Sequence, residues 1–267
     1  MGAGIRPHPV DRPLVQSVSR AVDILEALAE EGRELGVSDL SRRVGLPKST
    51  LFGLLSTLAD RGLVQRNAAG QYRLGLRLFE LGNRVLEGAD LRQVAHPLLE
   101  RLVAEFRETA HLVVLDRGEA VYIDKVESPE SMRIVTRVGT RLPAHCSAVG
   151  KSILAHLPEE QLDEIVRLLG LPRLTAHTIT DSSGLKRHLA QVRAQGFATD
   201  DEEVSEGLSC VGAPVWDHTG CVVAAVSIAA PTNRLRGEKH ARIVEAVKLA
   251  AREISDQLGG RTAHRAF

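Results

Sequence analysis

Aromatic side chains are scarce in this chain: five Phe, two Tyr and one Trp among 267 residues. Surfaces that stack bases or sugars need several exposed rings, so the sequence argues against a stacking platform and for an aliphatic core. Cysteine is scarce as well. Cys146, Cys210 and Cys221 are an odd number with no paired spacing, which excludes a disulfide framework or a zinc ribbon and fits a reducing, cytoplasmic setting. Excess charge of either sign is missing, with 34 Lys and Arg against 34 Asp and Glu, so the chain is no bulk polycation. Long apolar runs are missing too. The longest nearly uncharged stretch, 211–232, holds Asp217, His218, Gly220 and two prolines, and such a stretch cannot span a membrane as a helix. The first ten residues lack the apolar core of a signal peptide. These absences predict a cytoplasmic protein with no membrane partner.

What is present is a 43% apolar and 25% charged composition, enough for an ordinary core and, at this length, for two domains. Residues 1–13 carry three prolines and two glycines without periodicity and read as a disordered arm. From Ser17 the residues Val18, Ala21, Val22, Leu25, Leu28 and Ala29 recur at three and four, predicting a helix capped by Ser17 and stopped at Gly32. Ser38 caps a short second helix, 39–44, closed by Gly45. Pro47 opens a third whose buried stripe is Leu51, Leu54, Leu55 and Leu58. Residues 63–66 and 71–74 then read as two strands around the turn 67–70. Three helices and a hairpin make a winged helix-turn-helix over 14–76. Leu78, Phe79, Leu81, Val85 and Leu86 keep a helical period and predict a linker helix over 77–92.

The remainder, 93–260, mixes both element types and is followed by a tail, 261–267. Strands are expected at 111–115, 120–126, 133–138, 209–215 and 221–229, and helices at 147–156, 159–168, 183–195 and 238–258. An antiparallel sheet with helices packed against it is the simplest layer solution, so the fold class is α+β.

The chain's neutrality hides a local excess. Between residues 37 and 73, Arg42, Arg43, Lys48, Arg61, Arg66 and Arg73 face only Asp39 and Asp60, a net charge of +4. The solvent face of the third helix carries Lys48, Ser49, Phe52, Gly53 and Ser56, with Thr50 beside its start, and these groups can meet phosphates or base edges. Phe52 can pack on thymine methyls. Arg66 and Arg73 lie on the hairpin, and Arg20 at the start of the first helix reads as a further phosphate contact or as a charge left in water. The alternative is a small helical module with a solvated basic face; the hairpin directly after the third helix favours double-stranded DNA.

No catalytic residues, cofactor or metal are expected. Gly150-Lys151-Ser152 lacks the first glycine of a phosphate loop, since that position is His145. Ser209 lacks the flanking glycine of a nucleophile elbow at Val211. Cys146 and Cys210 suit a nucleophile or, with His145 and Asp200, a zinc site, but buried cysteines default to small apolar residues. What remains is a binding site: Ser147, Ala148, Val149 and Gly150 open a helix whose free N–H groups seat an anion, the alternative being a plain helix capped by Ser147.

Several segments resemble the IclR family of bacterial transcription regulators. They are Ser17-Val-Ser-Arg-Ala-Val-Asp-Ile-Leu25, Leu40-Ser-Arg-Arg-Val-Gly-Leu-Pro-Lys-Ser-Thr50 and Tyr72-Arg-Leu-Gly75 in the first part, followed by Leu142-Pro-Ala-His-Cys-Ser-Ala-Val-Gly-Lys-Ser-Ile-Leu-Ala155, Thr175-Ala-His-Thr-Ile-Thr180, Gly196-Phe-Ala-Thr-Asp-Asp-Glu-Glu203 and Gly207-Leu-Ser-Cys-Val-Gly-Ala-Pro-Val215. The resemblance runs from about Leu14 to Gly260. It implies a GAF-like effector domain and a repressor whose operator affinity responds to a small acid. It also implies a homodimer through the amino-terminal domain and linker helix, with dimers pairing through effector domains. The implied ligand cavity takes Ala148, Val149, Asp200, Cys210 and Ser227, with Leu208, Met132 and Ile134 as apolar wall. Asp200 with its acidic neighbours reads equally as a solvated turn. Two positions depart from the family. Gly53 stands where an arginine is common in the recognition helix, which predicts a different operator, and Val149 stands where smaller residues are frequent. A different class of function, an enzyme acting on a small acid and carrying a DNA-binding module, is the alternative, and turnover against stoichiometric binding separates the two.

Overall fold

The computed structural model describes residues 15–87, 91–131 and 133–260. The predicted arm and tail and the candidate ligand residue Met132 lie outside them. The chain divides into two compact units between residues 88 and 89.

The first unit contains α1 (Gln16–Glu31), α2 (Val37–Val44), α3 (Lys48–Asp60), β1 (Val64–Arg66), β2 (Tyr72–Leu74) and α4 (Leu76–Glu87). β1 and β2 pair antiparallel with Gln65 opposite Arg73. One aliphatic core joins Ile24 and Leu28 of α1, Leu40 of α2, Leu51 and Leu55 of α3, and Val64 and Tyr72 of the hairpin. α1 and α2 each end on a glycine, Gly32 and Gly45, at φ 66°, the left-handed conformation that closes a helix without a Cβ clash.

Two expectations are corrected here. Ser17 and Ser38 are not caps: both helices start earlier, at Val15 and Gly36, without a side-chain bond. Leu35 exchanges two backbone hydrogen bonds with Tyr72, so the extended chain runs on to Gly36 and the helix turns there. The buried stripe of α1 is also rotated. Ile24, Ala27 and Leu28 are buried, whereas Val18 and Val22 are exposed. Spacings of three and four fit both Val18-Val22-Leu25-Ala29 and Ala21-Ile24-Leu28, and packing against α3 selects the second.

The second unit contains α5 (Leu91–Phe106), β3 (Thr109–Asp116), β4 (Glu119–Val126), β5 (Arg141–Pro143), α6 (Ala148–Leu154), α7 (Glu159–Leu169), α8 (Ser182–Gln195), β6 (Ala198–Asp201), β7 (Leu208–Trp216), β8 (Val222–Pro231) and α9 (Gly237–Gln257). Six strands form one sheet in the order β5-β4-β3-β8-β7-β6, and every pairing is antiparallel. Strand side chains alternate between faces. On one face Leu112, Val211, Val226 and Ile228 pack under α5 and α9. On the other, Val113, Tyr122 and Ala225 pack under Val149 and Ile153 of α6.

The strand expected at 133–138 is absent: residues 133–137 are irregular. The segment is instead pinned across β3 and β4 by Thr109 Oγ1 donating to Ile134 O, by the His111–Thr136 side-chain bond, and by Lys125 Nζ donating to Thr136 O. The strand that pairs with β4 is β5, with Glu119 opposite Pro143. The helix expected at 147–156 ends at Leu154. α5 and β6 were not expected. Pro97 inside α5 disguises the helix, and β6 ends in the acidic run that reads as a turn.

Candidate functional site

In the first unit the outward face of α3 presents Lys48, Ser49, Phe52, Gly53 and Ser56 to solvent, with Thr50 half-buried at its start. Phe52 is 48% exposed, a large apolar side chain left outside a core that has room for leucines. A Cβ at Gly53 would meet nothing within 4 Å, so glycine is not sterically required there; it costs the helix about 1 kcal/mol relative to alanine.

The basic residues differ in how engaged they are. Arg43 donates to Glu31 at 2.7 Å and Glu30 at 3.1 Å, tying α2 to α1, and Arg42 pairs with Asp39 one turn away at 2.6 Å. Arg73 donates to Gln65 across the hairpin at 3.1 Å, and the Arg66 guanidinium lies 5.7 Å from the centre of the Tyr72 ring. Arg20 is half-buried on α1. Lys48 has no ion-pair partner among the described residues.

In the second unit the α6 face of the sheet gathers polar groups. His111, Ser227 and Gly212 are register neighbours across β3, β8 and β7, and Cys210 pairs with Asp200 one step along. α6 starts directly over Gly212, where a Cβ would stand 3.0 Å from the Ala148 carbonyl carbon and 3.1 Å from Val149 N. A side chain there would crowd the α6 backbone, which would have to give by a few tenths of an ångström. Ser147 caps the helix, its Oγ accepting from Gly150 N at 3.2 Å, which leaves the N–H groups of Ala148 and Val149 without an acceptor among the described residues. Leu208, two residues before Cys210, and Ile134 on the crossing segment are half-buried at the margin.

The acidic run divides by burial. Asp201 is exposed, but Asp200 is 1% exposed and accepts from Glu203 N at 2.7 Å and Val204 N at 3.3 Å. Burial pushes its carboxyl up to about 7. Glu203 is buried against Lys151, whose ammonium is fully enclosed and also donates to Thr199 O at 2.6 Å. The sequence reading set Lys151 aside with the rejected phosphate loop; the only available signal was a cation in the middle of an apolar helix. Tyr122 and His111 share this sheet face and were not singled out either.

Burial also sets the chemistry. It pushes the Cys146 thiol up to about 12, with Asp200 adding to the effect, and raises Cys210. Burial holds His111 down to about 3 and lowers His145, whose Nε2 donates to Pro172 O at 3.2 Å. Both thiols stay protonated, the opposite of a nucleophilic cysteine. Among the described residues no three His, Cys, Asp or Glu side chains are placed to share a metal ion, and no helix is long and apolar enough to cross a membrane.

Comparison with known proteins matches both units. Residues 17–68 fit the IclR helix-turn-helix domain, and residues 83–256 fit the bacterial transcriptional regulator IclR C-terminal domain. The transcriptional regulator KdgR of Dickeya chrysanthemi is 42% identical over 246 residues, 92% of this chain and 80% of that protein. The crystal structure of the Thermotoga maritima IclR superposes with a TM-score of 0.79 at 35% identity, covering 92% of this chain and all of that one. An IclR homologue from Microbacterium hydrocarbonoxydans, solved in complex with 4-hydroxybenzoate, superposes with a TM-score of 0.80 at 31% identity over 91% of this chain and 98% of that one. A winged helix-turn-helix, a six-stranded antiparallel sheet flanked by helices, and matches along nine-tenths of the chain place the protein in the IclR family of DNA-binding transcriptional regulators.

Proposed function

We propose that the protein is a repressor-type regulator whose operator affinity changes when a small carboxylate-bearing metabolite binds the second unit. The observation that carries this reading is the convergence, on one sheet face, of Asp200, Cys210, Ser227 and the α6 start at Ser147, Ala148 and Val149. Two free N–H groups seat a carboxylate and the half-neutral Asp200 meets a hydroxyl or amide, while Leu208 and Ile134 supply the wall. The homologue solved with 4-hydroxybenzoate supports a small acid as the ligand class. Protonated thiols favour a binding site over an enzyme acting on such an acid.

The operator face in this reading comprises Lys48, Ser49, Thr50, Phe52 and Ser56 of α3, Arg42 and Arg43 of α2, Arg20 of α1, and Arg66 and Arg73 of the hairpin. Lys48 is an exposed cation of α3 with no ion-pair partner among the described residues, so it carries the test. Lys48→Ala is expected to lower the slope of log K against log salt by about one unit, as loss of one neutralised phosphate does. Arg43→Ala has a smaller specific effect, because its guanidinium must first leave Glu30 and Glu31. Fluorescence titration of operator DNA over 50–200 mM salt reads both, and an unchanged slope for Lys48→Ala removes α3 from the interface. Val18 and Val22 on α1 and Leu76 and Phe79 on α4 are exposed apolar side chains of the first unit, available to a second copy in a dimer that reads two half-sites.

A further inference from the structure

Buried tyrosine hydroxyls almost always find a hydrogen-bond partner, because an unmade bond in a low-dielectric site is costly. Tyr122 of β4 departs from that pattern. Its residue is 7% exposed and its ring lies among Val113, Ala225, Val149 and Ile153. The ring meets His111 edge-on with centroids 4.7 Å apart. Among the described residues nothing hydrogen-bonds the Tyr122 Oη, yet the side-chain oxygens and nitrogens sealed off without a partner are His156 Nε2, His188 Nε2 and Glu203 Oε2, and Tyr122 Oη is not one of them. The hydroxyl is therefore not sealed off, and the ring packs on the face of the sheet that α6 covers.

Burial raises the phenol above its ordinary value, with Cys210 and Asp200 adding to the effect. Those two residues sit on β7 and β6, across β3 and β8 in the same sheet. The raised value keeps the hydroxyl protonated and able to donate. His111 meets the ring edge-on without a hydrogen bond to the hydroxyl, and its Nε2 is engaged with Thr136 Oγ1 at 2.9 Å.

We propose that Tyr122 is a specificity-determining residue of this site, its Oη hydrogen-bonding a hydroxyl or carbonyl oxygen on the effector at the end away from its carboxylate. The ligand class is thus a small acid with a second oxygen at its other end. This rests on the effector reading above and narrows it. A site built to bond a hydroxyl discriminates against the analogue lacking it, because its own polar group is then left unpaired.

The test uses full-length wild type and Tyr122→Phe, which removes one oxygen and no ring atoms. The probes are two matched pairs: 4-hydroxybenzoate with benzoate, and 5-hydroxypentanoate with pentanoate. Calorimetry is expected to show wild type binding the hydroxylated member of at least one pair about 5- to 10-fold tighter than its partner, the range of one hydrogen bond, and Tyr122→Phe binding both members about equally. Without ligand, the Tm of Tyr122→Phe should match wild type, since no protein bond is lost; a drop of several degrees would reveal a structural partner and overturn the assignment. Binding by wild type with the same discrimination in Tyr122→Phe overturns the role of Tyr122 and leaves the effector reading standing. No binding of any of the four acids by wild type overturns both.

Discussion

Lys151→Met is expected to destabilise the second unit by about 3–5 kcal/mol, the cost of leaving a buried charge without its partner. Lys151 is completely buried and its ammonium is held by Glu203 and by Thr199 O. Glu203 is enclosed as well, and its Oε2 has no partner among the described residues, so removal of Lys151 strands a carboxylate that is already under-satisfied. Thr175 and Thr178 bond the Glu203 and Glu202 carbonyls, and the turn that positions Asp200 should loosen with them. Removing both charges is far milder, because desolvating the pair costs nearly what their attraction returns. Urea unfolding at fixed protein concentration, read on the transition of the second unit, should show a large loss for Lys151→Met and recovery of most of it in Lys151→Met with Glu203→Leu. A loss under about 1 kcal/mol in the single variant would mean that water or a rearranged side chain reaches Glu203.

Asp200→Asn is expected to stabilise the ligand-free protein at alkaline pH while weakening the effector. The carboxyl is raised from 3.8 to about 7 by burial. Between those values the folded chain holds a proton that the unfolded chain has released, so this group's contribution to stability falls as pH rises from about 4 to about 7 and is flat above. At about 1.4 kcal/mol per unit, the penalty removed by asparagine approaches 4 kcal/mol at pH 8 and is less than half of that at pH 5. Asparagine keeps an oxygen to accept from Glu203 N and Val204 N. Buried His111 and half-buried His156 and His188, held down to about 3, 4 and 4 by desolvation, give the opposite trend at acid pH, but they are common to both proteins and cancel in the difference. Unfolding of both proteins at pH 5 and pH 8 checks this; a gain that does not grow with pH, or a loss at pH 8, contradicts it.

The first unit is legible in the sequence because its signals are local. Glycine stops at Gly32 and Gly45, Pro47 before α3 and a hairpin around Gly70 need only neighbours to act. The misplacements came from non-local contacts: the Leu35–Tyr72 exchange that moves the start of α2, and the α3 packing that rotates the stripe of α1. In the second unit, the strand expected at 133–138 has the composition of a strand but spends its hydrogen bonds on Thr109, His111 and Lys125. Site residues on a motif, such as Ser147 and Asp200, could be named from the chain. Tyr122 and the Lys151–Glu203 pair could not, since what singles them out is a missing partner in one case and total enclosure in the other, and neither has a sequence pattern.

In a ligand-responsive repressor, ligand and operator act on one conformational equilibrium. Calorimetric affinity of the acid that wild type binds, 4-hydroxybenzoate or 5-hydroxypentanoate, measured with and without saturating operator DNA, tests it most directly. Coupling between two sites is reciprocal and typically about 1–3 kcal/mol, so operator should change the acid's affinity roughly 5- to 150-fold, and the acid should change operator affinity by the same factor. Equal affinities for the acid with and without operator would show that the site, however well formed, does not regulate.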